Sequence, residues 1–261
     1  MNGGEAITSR HIILIIIMSK FFYPFIGKDY NQGINGKKIL ILGASFYCPK
    51  VDCKYYKECT DTKTKDSSKY DMICPEYDKK GLCLHEEPTN SINSEYSTYV
   101  TFAKGLAHFI GSNDYIDIWN HLAFTNYVQF FLPGSGENFR PTNASDLSER
   151  DFNAFIEVLK LLSPNIVVIW GCVINSRLKE FNEYVFDKEI LKDTDWYVCH
   201  MRLPGVNHDI ALVNPNHPSS SAWHSDKPNF DTYFGSTVFV RGSPTQKLLA
   251  KYHRATVHCS K

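Results

Sequence analysis

His217-Pro218-Ser219-Ser220-Ser221-Ala222 lies just beyond the apolar run Ile210-Ala211-Leu212-Val213. An imidazole, a helix-starting proline–serine pair and several hydroxyls therefore stand where a strand gives way to a helix. Strand ends are where open α/β sheets bind ligands. Backbone N–H and hydroxyl donors beside a histidine suit an anion. Two more polar clusters follow apolar runs: Gly43-Ala44-Ser45-Phe46-Tyr47-Cys48 after Lys38-Ile39-Leu40-Ile41-Leu42, and Asn126 in or just after Leu122–Val128. Glycine-rich, amide and imidazole groups from independent strand ends are what a ligand crevice in this architecture requires.

The elements that would position these groups are legible from period and punctuation. Residues 38–42, 122–128, 166–170, 196–200 and 210–213 read as short strands, apolar on both faces or rich in β-branched and aromatic residues. Residues 94–110 carry apolar residues near helical spacing, with Gly111 as C-cap. Residues 146–162 place Phe152, Phe155, Ile156, Leu159 and Leu162 on one helical face behind a Ser148 cap, and Pro164-Asn165 ends the run. A helix is expected over 173–184 and another within 230–253, where Thr237–Val240 also reads as a strand. Pro133–Asn143 is a Gly/Pro/Asn loop. Strands alternating with helices predict an α/β fold, a three-layer α/β/α sandwich around a short, mainly parallel sheet. The expected organisation is an N-terminal extension over 1–36 and a single domain over 37–261, interrupted by a cysteine-rich insertion over 48–93.

Composition sets the outer limits. The chain has 261 residues, 43% of them hydrophobic and 21% charged, which suits one large globular domain. Formal net charge is zero, so contact with a nucleic acid needs a local basic face rather than a polycationic body. Ile12–Met18 is apolar over seven residues, far short of the roughly 20 that span a bilayer. Ser19-Lys20-Phe21 offers no small-residue cleavage site behind it, which argues against a secretory signal. A buried strand, or an extension upstream of a start at Met18, accounts for the run. The expectation is a cytoplasmic protein without a membrane anchor.

Taken together, the three clusters resemble the uracil-DNA glycosylase superfamily. Its members share a Gly-containing loop after the first strand, an Asn at the end of the next, and an His-Pro-Ser loop after the last. The uracil-cleaving enzymes carry Gly-Gln-Asp-Pro-Tyr-His in the first loop. This chain keeps Gly43 and Tyr47 and has Ala44, Ser45, Phe46 and Cys48 at the other places. His217-Pro218-Ser219 is retained, with Ser221-Ala222 where that loop ends Leu-Ser. The resemblance covers about residues 37 to 225 and leaves the insertion outside the shared core.

The resemblance implies excision of uracil or another modified base from DNA, with the target flipped into a pocket that reads its Watson–Crick edge. An asparagine amide can donate to a base carbonyl and accept from a ring NH at once, the role implied for Asn126. His217 would donate to the base oxygen as negative charge develops on the leaving base. Gly43 would give the loop its close turn, Phe46 or Phe124 would stack on the base, and Tyr47 would crowd its edge. Ser219 and Ser221 would bind backbone phosphates. Ser45 stands where the uracil enzymes place an aspartate that positions water, and a neutral hydroxyl offers no charge for that task. The implied partner is DNA, single-stranded or damaged, and the implied state is a monomer.

Each residue also has a plainer reading. Asn126 can cap a strand end, His217 can bond a nearby carbonyl, and Ser219 and Ser221 can be ordinary N-caps. A binding module of the same fold without catalysis fits Ser45 and the zero net charge. A serine hydrolase using Ser45 and His217 fits poorly, since Gly43-Ala44-Ser45-Phe46-Tyr47 lacks the second glycine of the nucleophile elbow.

The insertion carries Cys48, Cys53, Cys59, Cys74 and Cys83, five of the eight cysteines, with His85 nearby. In a reducing compartment such clustering favours metal over disulfides. Four thiolates satisfy tetrahedral zinc, and metal can supply the folding energy that a segment poor in apolar residues lacks. Cys53, Cys59, Cys74 and Cys83 are the expected ligands. No CxxC pair is present, so free thiols, an iron–sulfur cluster and disulfides stay open. Cys172, Cys199 and Cys259 are scattered, and the first two suit a reading as small buried hydrophobes.

Overall fold

Ile39-Leu40-Ile41-Leu42 has no polar side chain to turn toward water, so as a strand it must be covered on both faces. The computed structural model bears this out: β2 (Ile39–Gly43) is buried at every position. The structure describes residues 22–48, 97–129, 131–133, 147–170, 184–190 and 197–220, with single positions at 52, 88, 92, 142, 174 and 223. The expected helix over 230–253 lies outside the described residues, as does all of the helix expected over 173–184 but Ile174 and Tyr184.

Around β2 stand β1 (Phe25–Ile26), β4 (Leu122–Asn126), β6 (Ile166–Ile169), β7 (Val185–Ile190), β8 (Tyr197–Met201) and β9 (Ile210–Val213). They form one sheet in the order β1-β4-β2-β6-β9-β8-β7. The four central strands β4, β2, β6 and β9 run parallel, while β1, β8 and β7 join antiparallel at the two sides. The sheet is therefore mixed, and the parallel character expected from the sequence belongs to its centre. A second, two-stranded parallel sheet pairs β3 (Phe46–Cys48) with β5 (Phe131–Pro133).

Alternate residues of the central strands feed two apolar layers. Ile39, Ile41, Phe124, Val168 and Trp170 pack with Tyr99, Phe102 and Leu106 of α1 (Ser97–Ile110) and Trp119 of α2 (Tyr115–Asn120). Leu40, Leu42, Val167, Ile169 and Leu212 pack with Phe152, Phe155, Ile156 and Leu159 of α3 (Glu149–Leu162). Each such side chain stabilises the fold by roughly 1.5 to 3 kcal/mol on burial. Residues 22–36, read from the sequence as an extension, supply β1 and bury Phe22, Phe25, Tyr30 and Ile34 in these layers.

Chain direction then decides where the sheet opens. From β2 the chain passes by way of α1 to β4, and after β6 it enters the α3 side, where Ile174 is buried. Loops that leave adjacent strands toward opposite faces part from one another, and the carboxyl ends of β2 and β6 are therefore the place where an open α/β sheet binds a ligand.

Candidate functional site

The first loop leaves β2 at Gly43, the register partner of Asn126 on β4. A methyl group built on Gly43 would come far inside van der Waals contact with Asn126 Oδ1 and lie 3.1 Å from Phe124 Cζ. Glycine is required there by close approach, not by a left-handed turn. Tyr127 and Val128 donate their N–H groups to the carbonyls of Gly43 and Ala44, both at 2.9 Å, so the two strands stay zipped past the ladder's end. Asn126 is buried, at 4% exposure, which places its amide inside the protein rather than on a solvated turn.

Ser45 is partly buried, and its Oγ lies 2.6 Å from Thr142 Oγ1. The Tyr47 hydroxyl stands 3.5 Å from the same Thr142 oxygen, and Tyr47 and Ile26 are the exposed large apolar residues among the described ones. Three hydroxyl-bearing residues thus gather at the first loop. Thr142 escaped sequence reasoning because it sits in the Gly/Pro/Asn loop, where no period marks it. Phe46 packs edge-on against Phe22, with centroids 4.9 Å apart, and forms a wall of the α1-side layer. Phe124 is 2% exposed, its ring against Tyr99, Trp119 and Trp170. It reaches Gly43 with its edge and serves as a floor.

The third cluster arrives from β9. Asn214 donates from Nδ2 to Ile169 O at 3.1 Å and ties the end of β9 to the end of β6. Beyond it, the Ser219 backbone N–H donates to His217 Nδ1 at 3.2 Å, and Ser219 Oγ lies 2.7 Å from that nitrogen. Since Nδ1 accepts a backbone hydrogen, the neutral ring carries its proton on Nε2. Burial holds the His217 pKa below its ordinary 6.5, which favours that neutral form. The ring stands edge-on to Trp170, with centroids 5.6 Å apart, and Trp170 in turn meets Phe124 at 5.7 Å. Trp170 links the His217 loop to the floor beneath Gly43 and Asn126. From the sequence it was only the last residue of a strand.

Asn126 and His217 are thus connected through Phe124 and Trp170, along the carboxyl ends of β4 and β6. Ser219 is spent on orienting the imidazole, and Ser221 lies outside the described residues. Cys53, Cys59, Cys74 and Cys83 also lie outside them. Among the described residues no three His, Cys, Asp or Glu side chains converge as metal ligands, and Cys48 is partly buried. No helix among the described residues is long and apolar enough to cross a membrane. No protein-family model matches the chain, and comparison with curated proteins likewise finds no match.

Proposed function

We propose that these strand ends bind a nucleobase, and that the chain hydrolyses the bond between a uracil or other modified base and deoxyribose in DNA. The observation that carries the reading is the buried Asn126 amide, lodged against the bare Cα of Gly43 and joined through Phe124 and Trp170 to the neutral His217 ring. The same three strand ends carry the resemblance to the uracil-DNA glycosylase superfamily, and the fold is proposed to be of that type. Asn126 reads a carbonyl and its neighbouring ring NH. As the glycosidic bond breaks, its electron pair passes to the base, and the His217 Nε2–H stabilises the new oxyanion. Water adds to the sugar carbon and its proton passes to the departing base anion, so that the products are the free base and an abasic deoxyribose. Ser45 and Thr142 can orient that water by hydrogen bonds but offer no charge. DNA is the proposed partner, met as a monomer, with zinc held by the insertion's cysteines.

Oligonucleotides carrying uracil, hypoxanthine or xanthine test the reading directly. Abasic product with at least one of them, lost on His217→Ala and Asn126→Asp, is the expected result. No product with any base, together with unaltered DNA binding by both variants, overturns it. A second reading, base binding without turnover, is favoured by the Ser45–Thr142 bond, which occupies the hydroxyl standing at the water-positioning place. Binding that His217→Ala weakens, with no abasic product, identifies that case.

A further inference from the structure

We infer that Gln129 is a positioning residue that sets where Asn126 presents its amide and where the Phe46 wall stands. The inference rests on the base-binding reading and names what fixes the geometry of that site. β1 pairs antiparallel with β4 at Phe25↔Phe124 and Ile26↔Ala123. Continued by two residues, that ladder would set residue 23 opposite Asn126. The Gln129 side chain stands between the strands instead. Its Nε2 donates to Asn126 O at 2.7 Å, and its Oε1 accepts the Phe22 N–H at 3.0 Å. One amide thus substitutes for a peptide group, satisfying a strand acceptor on one side and a backbone donor on the other.

One end of this spacer is at Asn126 and the other is in the α1-side layer. Asn126 is the proposed base reader, while the Phe22 ring meets Phe46 at 4.9 Å and Phe131 at 5.3 Å. Gln129 is itself held from the α3 side. Its backbone N–H donates to Asp151 Oδ1 at 2.9 Å. That fully buried carboxylate also accepts from Ser148 N at 3.1 Å, from Ser148 Oγ at 2.6 Å and from Arg150 Nη2 at 3.2 Å. A continuous hydrogen-bonded path therefore runs from the first turn of α3 to the Asn126 backbone. A glutamine that is 3% exposed and bonded at both ends has one geometry, and the amide three residues earlier takes its position from it.

If Gln129 only filled space or satisfied backbone groups, its replacement would lower stability and weaken every base equally. A positioning role predicts a change in selectivity. Gln129→Glu keeps the shape and the acceptor for Phe22 but cannot donate to Asn126 O, and Gln129→Met keeps only the volume. In the full-length protein, free uracil and cytosine are titrated against wild type and both variants. The Asn126 side-chain amide resonances, assigned by their loss in Asn126→Asp, are followed in parallel. We expect the uracil-to-cytosine affinity ratio to fall about tenfold, and the Asn126 resonances to move. An unchanged ratio with unmoved resonances overturns the inference. If wild type binds neither base, the base-binding reading fails, and the resonances alone decide: moved supports positioning, unmoved overturns it. Should one variant fail to fold, the other carries the same test, and if both fail, Asp151→Asn replaces them, acting through the Gln129 backbone.

Discussion

Gly43 and Asn126 face each other across a parallel ladder, and the missing β-carbon on one makes room for the amide of the other. Gly43→Ala is expected to push that amide off position, lowering base affinity about tenfold and stability by about 1 to 3 kcal/mol. Titration with free base and urea denaturation separate the two effects. His217 gives a prediction in pH. Its folded-state pKa lies below 6.5, so the unfolded chain binds the proton first on acidification. The stability contributed by the neutral ring is complete above 6.5 and is lost as pH falls through the lowered value. Wild type is therefore expected to lose more Tm than His217→Gln between about pH 7 and about pH 5. An equal loss in both would show that the ring ionises as freely in the fold as in the unfolded chain. Of the individual residues, those with a distinctive type after an apolar run were visible in the sequence. Thr142, Gln129 and Trp170 were not, because their roles depend on neighbours distant in the chain.

At the scale of the element, α3 shows how a helix start can serve a site it does not touch. Ser148 caps it, with the Ser148 Oγ accepting from Asp151 N–H and the Asp151 carboxylate returning to the Ser148 backbone. That reciprocal pair is an ordinary way to satisfy free N–H groups in a first turn. Here the carboxylate also takes the Gln129 N–H from the loop after β4. Asp151→Ala is expected to cost about 3 kcal/mol, because several buried donors lose their acceptor. Ser148→Ala, which removes the cap and one hydroxyl donor to the carboxylate but leaves the Gln129 and Ser148 backbone bonds, is expected to cost about 1 kcal/mol. Urea unfolding of both variants checks the order, and equal losses would mean that Asp151 acts only as a cap. The long periodic elements β2, β4, α1, α3, β6 and β9 were readable because burial imposes a pattern on many residues at once. The two residues of β1, between Pro24 and Gly27, and the three-residue pair β3 and β5 carry too few positions to show a period. β7 is charged at Asp187, Lys188 and Glu189, as suits the outer strand of a sheet, and so lacks the apolar signal of the centre.

For the molecule as a whole, the sheet order flanks β2 with the parallel strands β4 and β6, with β9 beyond β6, so the carboxyl ends of these four lie along one edge of the sheet. This places the Gly43 loop, Asn126 and the loop that carries His217 on the same edge of the sheet. The alternation of strands and helices in the sequence implied the two covered faces, while the antiparallel sides needed the pairing itself. The cysteine-rich segment enters the chain directly after β3, between the first loop and α1. If its thiolates hold zinc, purified protein is expected to carry about one zinc per chain, and chelation to lower Tm. Metal analysis with thiol titration decides this; metal-free protein with freely reactive cysteines at full Tm would dismiss it.

Three of the four tryptophans, Trp119, Trp170 and Trp223, share one aromatic cluster, and Trp170 meets His217 edge-on. Excited indole gives an electron readily to a protonated imidazole and much less readily to a neutral one. The His217 loop therefore has its own optical reporter in Trp170. Intrinsic emission should dim as His217 takes up a proton and should respond when an occupant displaces or polarises the ring. Trp170→Phe would silence that response while Trp119 and Trp223 went on glowing.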